Sequence, residues 1–356
     1  MDKLWDVIAF SMNKEEKEGF YKEKLKELTL LHSEKCKYYG RMLKNFRFSP
    51  EGNYNVCEYP FLPVRLFKEL ELKSVADDEV VKTMTSSGTT GQAVSKIYLD
   101  KETSANQTKA LVKITSEFLG KKRLPMLIID SKKVVRDRRL FSARGAGILG
   151  FSILGAHPTY ALNEDMELDV PVIEEFLEKY KNQDILLFGF TYIIWQHFYK
   201  ELVIMNKKLD FSKGILLHGG GFKKLQAEAV DNGTYKNELN RVCGITKVYN
   251  YYGMVEQTGS IFMECECGRL HASNFSDILI RNPKDFSLCG VGEKGLIQLV
   301  SVLPKSYPGH SIITEDVGEL TGEDDCPCGR CGKTFIVHGR IKSAEVRGCS
   351  DTYERK

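Results

Sequence analysis

Between residues 80 and 252 short apolar runs alternate with stretches of helical periodicity, and this alternation limits the fold more than any other feature. The runs at 125–129, 185–190, 214–217 and 247–251 have strand length and apolar character, while 172–181 and 225–232 carry helical patterns. Such alternation predicts an α/β fold with a mainly parallel sheet. After Tyr252 the pattern changes: Gly290, Gly292 and Gly295 punctuate a candidate strand at 296–300, and turns follow at Pro308-Gly309 and Gly318. This region reads as a smaller β-rich subdomain. Ahead of the core, residues 13–46 are rich in Lys and Glu and place Tyr21, Leu25, Leu28 and Leu31 at three- and four-residue steps, the pattern of an amphipathic helical extension. The expected division is therefore a helical extension (1–75), an α/β nucleotide-binding core (76–260), a β-rich subdomain (261–340) and a tail (341–356).

Composition narrows the function classes. A chain of 356 residues with 42% hydrophobic and 28% charged residues can bury a large core, which excludes disordered, collagenous and small disulfide-stapled classes. Lys and Arg number 51 against 48 acidic residues, so there is no basic excess of the kind that tracks phosphates, and nucleic acid is not an expected partner. The N-terminus carries Asp2 and Asp6 where a signal peptide carries only basic charge, and the most apolar stretch, 185–195, is too short to span a bilayer. The reading is a cytoplasmic protein without a membrane partner. Ten cysteines in a reducing compartment then point to metal or catalysis, and five of them fall in two tight clusters.

The strand pattern at 80–85 runs into Thr85, Ser86, Ser87, Gly88, Thr89, Thr90 and Gly91. Small residues in such a turn expose consecutive backbone N–H groups to an anion, and the hydroxyls add donors for phosphate oxygens. The Gly-Lys-Ser/Thr ending of a Walker A loop is missing. On composition alone a plain Ser/Thr surface turn fits equally well.

Segment order separates the two readings. Residues 85–91 resemble the phosphate loop of the acyl-adenylate-forming superfamily, which includes acyl-CoA synthetases, luciferases and peptide-synthetase adenylation domains. Further resemblances follow in that superfamily's order: Gly219, Gly220 and Gly221 as the adenine-side turn; Tyr252, Gly253 and Glu256 as the motif whose ring packs on adenine and whose carboxylate helps hold magnesium; Asp316 on the ribose hydroxyls; Gly339 and Arg340 closing the large domain, with Arg340 also at the ribose. The resemblance implies the large adenylating domain of that superfamily, with ATP and Mg²⁺ as cofactors. Two departures stand out. The usual loop lysine position holds Val94, with Lys96 two residues on as the candidate pyrophosphate contact, and the usual Thr before the glutamate is Val255. Only a short tail follows Arg340, so the expected architecture lacks the usual mobile C-terminal domain.

That tail holds Arg347, Gly348 and Cys349. A thiolate is a good acceptor for a mixed anhydride, and a neighbouring arginine favours the thiolate. Together with Phe61-Leu62-Pro63-Val64 and Leu66-Phe67-Lys68, the chain is similar over nearly its whole length to the acyl-protein synthetases of bioluminescence fatty-acid reductase complexes. The resemblance implies that a fatty acid is activated as acyl-AMP, moved to Cys349 as a thioester and delivered to an acyl-accepting reductase or carrier protein. The alternative is an aryl- or acyl-CoA ligase of the phenylacetate type, with CoA as acceptor; a zinc-ribbon binding module without turnover is the rival from another class.

The cysteine clusters read as two glycine-bearing knuckles suited to tetrahedral zinc: Cys265, Cys267 and His271 in one, Cys326, Cys328 and Cys331 in the other. Six candidates compete for four places. A zinc-bearing pattern in related aryl-CoA ligases implies Cys265, His271, Cys326 and Cys328 as the structural set, with Cys267 and Cys331 as substitutes. His218, beside the glycine turn, is a candidate for nucleotide or substrate contact. The Gly-rich run at 142–147, with Arg144, reads as a loop, and Phe188, Phe190, Ile193, Ile194 and Trp195 suit either an acyl tunnel or ordinary core.

Overall fold

The computed structural model describes residues 2–86, 93–136, 143–222 and 227–341. The described residues fall into two compact units, one of 2–86, 93–118 and 253–341, the other of 119–136, 143–222 and 227–252.

The second unit is α/β. Its five strands, Leu124–Ser131, Gly155–Leu162, Ile185–Phe190, Gly214–Gly219 and Lys247–Tyr252, are all parallel and lie in the order second, first, third, fourth, fifth. Ile185–Phe190 and Gly214–Gly219 are buried along their whole length, as suits runs that are apolar but for His218. The helix Val170–Tyr180 starts where Asp169 accepts a hydrogen bond from the Val172 amide, and Asn232–Cys243 starts at Asp231 and ends on Gly244 at φ 73°. Both caps satisfy amides or carbonyls that a helix end leaves open. Of the helix expected at 225–232, residues 225 and 226 lie outside the described residues, and the described α-helix begins at Asn232, where the Asp231 cap sits. The run at 142–147, expected as a loop, is corrected: Ser142 lies outside the described residues, and 143–147 open the helix Ala143–Phe151, in which a Cβ on Gly147 would fall 2.9 Å from the Phe190 ring. Glycine is there for close packing, which outweighs its poor helix propensity.

The first unit is built on an antiparallel sheet. Its order is Ser276–Arg281, Lys294–Ser301, Ser311–Glu323, Lys333–Arg340, Leu270–His271 and Phe262–Glu264, with Leu62–Pro63 added in parallel to Ser311–Glu323. A separate ribbon pairs Lys82–Thr85 with Lys96–Leu99. The N-terminal helix Lys14–Lys35 opens with a reciprocal cap between Asn13 and Glu16 and buries Tyr21, Leu25 and Leu28. It belongs to this unit because its polar residues are tied in as well. His32 stacks on His310 with ring centroids 5.0 Å apart, and Thr29 and Tyr39 both reach His310 Nε2 at 3.2 Å. Burial pushes His32 down to about 3 and His310 well below the usual imidazole range, so both rings are neutral. One core joins Tyr39 and Leu43 to Phe67, Ile97, Leu99, Tyr307 and Ile312, so residues 2–86 and 253–341 share an interior. The expected boundaries at 75 and 260 differ from this division, since local composition does not register contacts made across 270 residues of chain.

Candidate functional site

The first unit holds the base of the Ser/Thr/Gly segment. Ser86 and Ser95 face each other across it, the Ser86 amide donating to Ser95 O at 3.1 Å and the Ser95 amide to Ser86 Oγ at 2.9 Å. Ser87, Gly88, Thr89, Thr90 and Gly91 lie outside the described residues. Lys96 is exposed and stands opposite Thr85 in the ribbon.

Glu256 sits in the short 3₁₀ turn Val255–Gln257 and is only 4% exposed. Burial raises its carboxyl above the usual carboxylate range, and Ser95 and the Arg340 guanidinium work against that rise. Ser95 Oγ, itself wholly buried, makes no hydrogen bond of ordinary geometry, yet it is close enough to lower the proton affinity of that carboxylate. Asp316 and Arg340 are direct partners in the antiparallel register, with Arg340 Nε donating to Asp316 Oδ1 at 3.3 Å. Both act electrostatically on Glu256, Asp316 raising its proton affinity. Glu256 thus lies within electrostatic reach of the paired Asp316 and Arg340. A buried carboxylate with so little compensation is suited to a divalent cation. Gly253, exposed, precedes the turn.

The second unit carries the glycine turn at the carboxyl end of its fourth strand. Gly219 has no room for a side chain, because a Cβ would lie 2.7 Å from the Tyr251 ring, and Gly220 and Gly221 take φ of 87° and 63°. Only glycine adopts that pair of conformations freely. Tyr252, half-buried, ends the fifth strand. The carboxyl ends of parallel strands are where open α/β sheets bind ligands. His218 is buried; the Thr191 hydroxyl donates to Gly219 O at 3.0 Å, so His218 Nδ1 must donate to Thr191 Oγ1 at 2.9 Å. Burial pushes this imidazole down to about 3, and Nε2 is left without a hydrogen bond. Phe188, Phe190, Ile193, Ile194 and Trp195 are all buried, Phe188 stacking on Phe151 at 4.7 Å and Trp195 on Tyr235 at 5.5 Å. Arg144 is buried against a carboxylate of the protein, Asp130, at 3.2 Å.

The two knuckles converge in the first unit. One ligand atom each from Cys265, His271, Cys326 and Cys328 lies within 4.8 Å of all the others. The Cys265 and Cys326 sulfurs are 3.7 Å apart, and Cys328 Sγ is 3.4 Å from His271 Nε2. Tetrahedral zinc with ordinary bond lengths sets sulfurs about 3.8 Å apart and sulfur about 3.6 Å from nitrogen. Each knuckle closes in the same way: the Gly268 amide donates to Cys265 O and the Gly329 amide to Cys326 O, with φ of 75° and 78°. Arg330 bridges to Glu266 at 2.6 Å and Arg269 to Asp325 at 3.2 Å, tying the knuckles together. Burial raises Cys265 to about 11, whereas hydrogen bonds from Arg330 outweigh burial at Cys328 and lower its thiol. Cys267 is exposed, and neither it nor Cys331 joins the group.

Sequence reasoning missed Tyr307, Gln107, Asp277 and the pairing of Lys17. Each acts through contacts 50 to 260 residues away in sequence, for which no local pattern exists.

Comparison with known proteins places the whole. All of the chain, residues 1–356, matches the family described as acyl-protein synthetase, LuxE. The long-chain-fatty-acid–luciferin-component ligase of Aliivibrio fischeri is 22% identical over 313 residues, covering 83% of this chain and 78% of that protein. Among solved structures, 2-hydroxyisobutyryl-CoA ligase with 2-HIB-AMP and CoA in the thioesterification state has a TM-score of 0.71 at 14% identity, covering 95% of this chain and 72% of the other. Its open conformation gives 0.70 at 13% identity, covering 95% and 79%. These likenesses establish a mixed α/β fold of the acyl-adenylate-forming type. No described helix is long and apolar enough to cross a membrane. The chain belongs to the acyl-protein synthetase, LuxE family, and is accordingly an acid–thiol ligase that activates a carboxylic acid with ATP.

Proposed function

We propose that the protein activates a fatty acid as acyl-AMP and then carries the acyl group on its own Cys349, in the cytoplasm, for delivery to a reductase or carrier protein. A carboxylate oxygen of the acid attacks the α-phosphorus of ATP and the bond to pyrophosphate breaks. The Cys349 thiolate then attacks the acyl carbonyl and AMP leaves. The first step brings two anions together, so the protein's contribution is positioning and charge neutralisation. The observation that carries the reading is the buried Glu256 lying within electrostatic reach of the Asp316–Arg340 pair in a chain of this family.

In this reading Ser86 and the segment to Gly91 hold phosphates, Lys96 meets pyrophosphate, Gly219–Gly221 and Tyr252 with Gly253 serve the adenine, and Asp316 and Arg340 the ribose. Glu256 would hold Mg²⁺, which when bound neutralises phosphate charge. Arg340 Nε, donating to Asp316 Oδ1, orients that carboxylate as an acceptor for ribose hydroxyls. Cys265, His271, Cys326 and Cys328 would hold a structural zinc away from the chemistry. The A. fischeri relative, named for a long-chain fatty acid, supports the choice of acid.

Acid-dependent exchange of labelled pyrophosphate into ATP tests the activation step. Glu256→Gln is expected to lower the exchange rate about 100- to 1,000-fold, the scale of losing one charge-stabilising group at a phosphoryl centre. Exchange that survives the substitution unchanged removes Glu256 from the site.

A further inference from the structure

The turn that carries Glu256 is held by side chains outside every motif. Tyr307 is wholly buried; its hydroxyl donates to Glu256 O at 2.9 Å and accepts from Gln107 Nε2 at 3.2 Å. Gln107, 2% exposed, comes from the helix Lys101–Leu119. From the neighbouring position, Gln257 Nε2 donates to Gly309 O at 2.9 Å and Leu299 O at 3.1 Å. The backbone is fitted around these groups. A Cβ on Gly309 would lie 2.2 Å from the Tyr307 ring and 3.0 Å from Glu256 O, and one on Gly259 would lie 2.4 Å from Gln107 O at φ +86°.

A three-residue 3₁₀ turn has little stiffness of its own. What fixes the direction of the Glu256 side chain is where its peptide group is pinned, and Tyr307 pins that carbonyl. Magnesium demands near-octahedral oxygens at about 2.0–2.1 Å, so a carboxylate that wanders by a fraction of an ångström binds it less well. We infer that Tyr307, itself oriented by Gln107, is a positioning residue that sets the Glu256 carboxylate for a divalent cation. The inference rests on the reading of Glu256 as the magnesium carboxylate.

The test uses the full-length protein with α,β-methylene ATP, which cannot turn over at the α-phosphate, and Mn²⁺ as the probe, with free Mn²⁺ counted by electron paramagnetic resonance. Tyr307→Phe removes one oxygen and is expected to weaken Mn²⁺ binding about 5-fold, the scale of one net hydrogen bond, while nucleotide affinity without metal stays within about 2-fold. Gln107→Leu should weaken it about 2-fold, and the double variant should bind no more weakly than Tyr307→Phe, because Gln107 acts through Tyr307. Should Tyr307→Phe fail to fold, Gln107→Leu carries the test alone. Wild-type Mn²⁺ affinity in these variants while Glu256→Gln binds weakly overturns the inference and leaves Glu256 in place. Fully additive effects in the double variant overturn the relay through Tyr307. Wild-type affinity in Glu256→Gln overturns the reading of Glu256, and the inference with it.

Discussion

Replacing Asp277 by alanine is expected to cost about 3–5 kcal/mol of folding stability, a large share of the roughly 5–15 kcal/mol that holds a domain together. Asp277 is buried between two ammonium groups, Lys17 Nζ at 3.5 Å and Lys333 Nζ at 2.7 Å, with all three side chains at most 16% exposed. Burial alone would raise its carboxyl; the fields of Lys333 and Lys17 outweigh that and hold it below the usual range. A carboxylate lowered in this way adds stability above its unfolded-state value near pH 4 and loses it as pH falls through the lowered folded value, so at neutral pH its full contribution is present. Burial conversely lowers Lys17, whose ammonium is tolerated only because Asp277 is there. Lys17 stands on the N-terminal helix and Lys333 on the strand Lys333–Arg340, so the carboxylate also fastens one to the other. Removing it strands two buried cations. Lys17→Met is expected to cost far less, because it leaves one cation paired with one anion. Urea denaturation at pH 7 measures both; an Asp277→Ala protein within about 1 kcal/mol of wild type would contradict the account.

The zinc proposal carries the other large effect. Protein purified without chelators is expected to contain one zinc per chain by elemental analysis, and Cys326→Ser to contain essentially none. Two of the four ligands sit at the ends of very short strands, Phe262–Glu264 and Leu270–His271, or just beyond them. Pieces of two and three residues have almost no intrinsic stability, so the ion would supply what local hydrogen bonding does not. Binding energies of about 10–16 kcal/mol in zinc-finger peptides set the scale, and they appear as folding energy. Loss of the metal should therefore open this end of the sheet, seen as faster amide exchange across Leu270–His271. Cys267→Ser and Cys331→Ser should keep their zinc, since neither thiol reaches the cluster. Metal-free wild type, or Cys326→Ser with full occupancy, would refute the site.

How much of this was legible in sequence depended on range. Ile185–Phe190 and Gly214–Gly219 announce themselves because they are apolar at nearly every position and fully buried. Gly155–Leu162 does not, since it lies at the sheet's edge with His157 and Pro158 exposed and its apolar run is broken. The helix Ala143–Phe151 was hidden by its glycines, of which Gly147 serves packing against Phe190. At the site, the order of short motifs led to Glu256, Asp316 and Arg340, which the fold gathers within electrostatic reach of one another. Cysteine spacing alone left six candidates, and the geometry brings four of them together. Tyr307 and Asp277 carried no signal, because a buried hydrogen bond or charge cluster between distant segments exists only once the chain has folded.

The central claim is that the activated acid comes to rest on the enzyme. Intact-mass measurement after incubation with ATP, Mg²⁺ and a panel of fatty and aromatic acids, for wild type and Cys349→Ser, tests it most directly. The account predicts a hydroxylamine-labile acyl adduct on the wild type alone. AMP release that depends on the acid, with no adduct on either protein and product appearing on added CoA, would contradict it and make the chain a CoA ligase.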